Sequence, residues 1–163
     1  MTDSTAKVLK KLMTVAKTGA ATNIEKENVS LLAPVAVMAL RDSEEIKIAR
    51  LKTRGPSSIK KALQSCLNHY DAYAYAFVKE GVGTEFPEAL LAAEGNFRLL
   101  PPDDKYEVVT LETRIEGMPP IFVSRARITH TPSGRVLSEW SDVRLEEDSI
   151  LYTTDWEANE SEI

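Results

Sequence analysis

Cysteine occurs once in the 163 residues, at Cys66, and histidine twice, at His69 and His130. A lone thiol forms no internal disulfide and, with no second cysteine or paired histidine at ligand spacing, no zinc centre. No metal and no cofactor are expected. The all-carboxylate alternatives, Asp103-Asp104 and Glu146-Glu147-Asp148, lack the alternation of acids and glycine that a calcium loop requires. Long apolar runs are missing as well. The longest, Leu31 to Leu40, is ten residues and contains Pro34, whereas a membrane helix needs about twenty. No membrane association is therefore expected. The polar start Met1-Thr2-Asp3-Ser4-Thr5 lacks the charged-then-apolar order of a secretory signal, and with one cysteine it points to a reducing cytoplasm.

Catalytic signatures are equally scarce. There is no G-x-S-x-G elbow, no Walker loop, no dinucleotide glycine pattern and no RNP-type or zinc-finger motif. The reading leans away from an enzyme. His69 closes a predicted helix, where a cation meets the negative end of the dipole. His130 ends a strand beside a turn. Cys66 falls on an apolar helical stripe and reads as a packed thiol.

What is present is charge sorted by position. Lys47 to Lys61 holds six bases and no acid; Glu146 to Ile163 holds seven acids and no base. The net −5 thus divides into +6 over residues 1–61, −4 over 62–145 and −7 over the tail. Such sorting suggests an anionic partner for one part and a solvated or docking role for another.

Hydrophobic residues, 43% of the chain beside 28% charged, suffice for one folded domain. Val8, Leu9, Leu12, Val15 and Ala16 recur at helical intervals over residues 5–18, and Gly19 is the expected stop. Leu31–Leu40 and Glu45–Lys52 read as a hairpin across Arg41–Glu44. A second helix begins at the capping pair Ser57 and Ser58 and carries Ile59, Ala62, Leu63, Cys66, Leu67 and Tyr70 on one stripe. Ala72–Val78 alternates perfectly, with Tyr73, Tyr75 and Phe77 on one face and alanines on the other. The small face invites the helix ending at Tyr70. The aromatic face needs another cover, or serves as a stacking platform for bases. A long connection, Gly81–Asp104, contains a short helix at Pro87–Glu94 and reads as a lid or a plain link. Three strands follow: Tyr106–Ile115, Ile121–His130 and Arg135–Leu145.

The expected fold is α+β: a single mostly antiparallel sheet of about six strands with two or three helices, in the order α-β-β-α-β-(loop or α)-β-β-β. Helices are expected on one face. Residues 1–145 form the domain and 146–163 a flexible acidic tail.

Three functions compete. The leading one is a non-enzymatic interaction or regulatory domain acting on a protein partner, through a tail whose Tyr152 and Trp156 are interface anchors by type. The next is a small-molecule enzyme or sensor for an anionic ligand, with an arginine-lined pocket at Arg125 and Arg127, since guanidinium groups grip carboxylates and phosphates bidentately. Glu112, Arg114, Glu139 and Asp142 lie on the same strands, where cross-strand pairing is the alternative role. The last is a nucleic-acid binder using the basic 47–61 segment. Its compact core is Arg54, Ser57, Ser58, Lys60 and Lys61 around a helix N-terminus, a favourable place for an anion. Edge strands must be covered, and a homodimer is one way to do it.

Overall fold

The computed structural model describes residues 3–26, 34–52, 56–84, 86–116 and 122–143. Its elements are α1 (Asp3–Ala21), continued by a π-helical turn (Thr22–Lys26), β1 (Val35–Leu40), β2 (Ile46–Arg50), α2 (Pro56–His69) and β3 (Ala72–Gly83). Then follow α3 (Pro87–Ala92), single 3₁₀ turns at Phe97–Leu99 and Pro102–Asp104, β4 (Tyr106–Ile115), β5 (Phe122–Thr131), β6 (Gly134–Leu137) and β7 (Ser141–Val143). One antiparallel sheet runs β2-β1-β3-β4-β5-β6, curled into a half-barrel, with β7 also pairing β5. The α+β class and the element order are those expected. No helix among the described residues is long and apolar enough to cross a membrane.

Helix α1 passes the expected stop at Gly19. Glycine costs about 1 kcal/mol in a helix, but continuing buries Ala20 and, in the π turn, Ile24; a fully buried isoleucine alone returns about 1.5–3 kcal/mol. Leu9, Leu12, Ala16, Ala20 and Ile24 are buried along this stripe, and the last four pack on Val37, Ala39, Ala74, Ala76, Val78, Val109, Leu111 and Ile128 of the sheet. Small residues on both sides let the helix approach closely. Helix α2 covers the other face of β1 and β3, where Leu63 and Leu67 meet Ala36, Met38, Tyr75 and Phe77. The helices therefore lie on opposite faces. The small face takes α1, and the aromatic face takes the helix ending near Tyr70, the reverse of the expected assignment. Tyr75 and Phe77 are buried under α2 and offer no stacking platform.

Two irregularities break the alternation. Ala39 pairs Ala74 while Leu40 pairs Ala72, so Tyr73 is the extra residue of a β-bulge. It packs with the α1-side core, away from Tyr75 and Phe77. The expected last strand is divided: Ser138 Oγ accepts the Arg127 amide at 2.8 Å, a hydroxyl standing in for a ladder carbonyl, and pairing resumes one register later at Ser141. Leu137 and Trp140 consequently share the α1 side.

Strand β3 extends to Gly83, because β4 pairs along its whole length to Tyr106. The connection therefore starts at Thr84, whose hydroxyl donates to the Asp104 carbonyl and ties its two ends together. Helix α3 is stopped by Glu94 and Gly95, both at positive φ, with the Gly95 amide reaching back to the Leu90 carbonyl at 2.9 Å.

Candidate functional site

A space lies beside α1 where the helix meets β1 and the edge strand β2. Ala16, Gly19 and Ala20 face Val35 and Val37 of β1, Val78 of β3 and Ile48 of β2 around a cavity of about 270 Å³. Gly19 is an exposed residue of the rim, with no atom within 4 Å of where a Cβ would stand. Ile48, on the edge strand β2, is 55% exposed and marks the mouth. Among the described residues the polar lining is Thr22, Asn23 and Arg50. Asn23 sits in the π-helical turn and is buried, and its Oδ1 accepts a hydrogen bond from Arg50 Nη2 at 3.1 Å. π turns recur at functional sites because the widened helix re-aims its side chains. An apolar chamber with one guanidinium and one amide at a single end suits a molecule that is apolar at one end and accepts hydrogen bonds at the other.

The basic segment 47–61 is dispersed. Lys47 pairs Met38 and Arg50 pairs Val35, so the two cations project from opposite faces of β2. Lys47 Nζ lies 5.2 Å from the Tyr70 ring. Ser58 and Lys61 are exposed on α2 and Lys60 is half-buried. Arg54, the Ser57 side chain, Tyr152 and Trp156 lie outside the described residues.

Arg125 and Arg127 do share a face, as alternation requires, but it is the α2-side face, away from the cavity. Arg125 is paired with Thr110 and Arg127 with Val108. The Arg127 guanidinium stacks 3.8 Å from the Tyr106 ring centroid. Glu112 and Arg114 are on this face too and almost fully buried. Burial pushes the Glu112 carboxyl up to about 8, against the pull of Arg114 and Lys79. Lys79 is lowered, also mainly by burial.

The remaining titratable groups have structural settings. Half-buried Cys66 places Sγ 3.8 Å from Met38 Sδ, and burial raises its thiol. His69 packs edge-on against Tyr70. His130 Nε2 lies 2.6 Å from Glu107 Oε2 at the surface. Among the described residues no three His, Cys, Asp or Glu side chains are grouped to hold a metal.

Sequence reasoning placed an arginine-lined pocket at Arg125 and Arg127 and missed Asn23 and Arg50 as partners. Nothing in the sequence joins Asn23 to Arg50, which are 27 residues apart. Comparisons with family models, curated proteins and solved structures find no match for this chain.

Proposed function

We propose that the protein is a non-enzymatic binding or sensor protein for a small amphipathic anion, held with its apolar part under α1 and its carboxylate at Arg50. The observation carrying this is the cavity itself, whose described lining is apolar except for Thr22 and the hydrogen-bonded pair Asn23 and Arg50. Its volume falls just below the usual small-molecule range of about 300–1,000 Å³, which favours a short aliphatic chain over a drug-sized or nucleotide ligand. Arg50 is exposed and spends one donor on Asn23. A guanidinium has five N–H donors in a planar fork, so its remaining edge is suited to a carboxylate.

Partner docking through Tyr152 and Trp156 draws no support from the described residues. Small-molecule mass spectrometry of the purified protein tests the ligand reading. A short aliphatic acid should be released on denaturation of the wild-type chain and be missing from Ile48→Trp, whose indole fills the mouth. Recovery of the same acid from both proteins would refute the assignment.

A further inference from the structure

On the face opposite the cavity, the ladder sets four polar side chains in one row across four strands. Lys79 of β3 pairs Thr110 of β4, Thr110 pairs Arg125 of β5, and Arg125 pairs Ser141 of β7. Directly paired residues project from the same face, so cation, hydroxyl, cation and hydroxyl alternate side by side. Lys79, Thr110 and Arg125 are half-buried and Ser141 is exposed, which leaves the row open to solvent. Among the described residues neither Lys79 nor Arg125 has an ion-pair partner within 4 Å.

The neighbouring row supplies an independent observation. Glu112 lies two residues along β4 from Thr110, and only 2% of it is exposed. Among the described residues its Oε1 has no hydrogen-bond partner, a costly arrangement for a buried polar atom. Lys79 acts on this carboxyl through space. Protonated by burial, Glu112 neutralises neither cation and has a hydrogen to give.

We propose that the Lys79–Thr110–Arg125–Ser141 row is a second binding site, specific for a phosphate group, with the Glu112 carboxyl as an additional donor beside it. Lys79 and Arg125 stand two strand spacings apart, about 10 Å at the backbone. Their long side chains converge over Thr110 on one tetrahedral anion. Two cations match its two charges, Arg125 gripping two oxygens and Lys79 acting as a point charge. The Ser141 hydroxyl serves a remaining oxygen, and Thr110 serves another by turning its hydroxyl from the Lys79 carbonyl, to which it donates at 3.4 Å. This site is independent of the cavity, so either assignment can fail alone.

Calorimetric titration of inorganic phosphate into the full chain at pH 7, with sodium chloride held at fixed ionic strength, tests the proposal. Saturable binding is expected. Lys79→Met and Arg125→Met should each weaken it at least tenfold, and Thr110→Val with Ser141→Ala should weaken it severalfold in a protein whose circular dichroism is unchanged. Leu91→Ser, at an exposed position of α3 outside both sites, should bind as wild type does. A titration with glycerol 3-phosphate separates the sources: tighter binding of the ester identifies a phosphorylated metabolite, and equal binding identifies the free anion. Non-saturable heats, or equal affinity in wild type and the Arg125 and hydroxyl variants, would overturn the site.

Discussion

Glu112 stands directly opposite Phe77 across the β3–β4 ladder, a carboxyl facing a phenyl ring on a buried row. An acid held there keeps its proton, because removing a carboxylate from water costs more than Arg114 and Lys79 return.

The consequence is a stability that falls with rising pH. Folding lifts the Glu112 carboxyl from 4.5 to about 8, so the folded chain retains a proton that the unfolded chain has already released. This contribution is complete below about pH 4.5 and is lost progressively as pH rises through 8. Glu112→Gln should flatten urea-derived stability across pH 5–9 and raise it at pH 7 by on the order of 3 kcal/mol. A slope identical to wild type would show that Glu112 titrates normally.

A side chain at Gly83 requires the Tyr106 ring to move. A Cβ there would lie 2.6–2.9 Å from the Tyr106 ring, and that ring is capped by Arg127. Gly83→Ala should cost about 1–3 kcal/mol. Most of that cost should vanish in a Tyr106→Ala background, read from a double-mutant cycle in urea; an additive cycle would mean the clash is relieved elsewhere.

Buried and exposed ion pairs should differ sharply. Arg135 Nη1 donates to Glu80 Oε1 at 2.8 Å with both side chains largely hidden, while among the described residues Arg135 Nε and Nη2 have no partner. Glu80→Ala would strand that guanidinium and should cost about 3–5 kcal/mol. Arg41 bridges Asp71 and Glu116 in the open, and Arg41→Ala should have a much smaller effect. Thermal unfolding of the two variants side by side decides it, and comparable losses would contradict the ranking.

Gly19 offers a gain. It lies in helical backbone with open space at its Cβ position, so Gly19→Ala should stabilise the chain by about 0.5–1 kcal/mol, measured by urea unfolding. A loss would mean that the methyl group meets the cavity wall.

Much of the fold was legible because local chemistry and tertiary packing agree. The apolar stripes of α1 and α2 lie where their periods place them. Legibility ended at the bulges. Tyr73 reads as a companion of Tyr75 and Phe77, and Trp140 as opposed to Leu137, because alternation is an unbroken count of two. One inserted residue reverses every side chain beyond it, and nothing in the sequence of β3 announces the insertion. Which face takes which helix is similarly hidden. Both faces of β3 are apolar, and only the pairing of small with small at Ala16, Ala20, Ala74 and Ala76 decides that α1 lies there. The candidate site was legible only as chemistry. Alternation sets Arg125 and Arg127 on one face of β5, and the ladder does the same. Asn23 and Arg50 are 27 residues apart and meet only when the π turn folds over the edge strand.

The cavity assignment is tested most directly by calorimetric titration with straight-chain carboxylates of increasing length. Each methylene buried is worth about 0.8 kcal/mol, a factor of about four in affinity. Affinity should therefore climb about fourfold per carbon until the chamber is full and then level off, near eight or nine carbons for 270 Å³ at about 30 Å³ per water-sized group. Arg50→Leu should weaken every carboxylate while leaving the matching alcohols little changed, and Ile48→Trp should abolish the series. Affinity that ignores chain length, or that survives Ile48→Trp, would contradict a ligand site under α1.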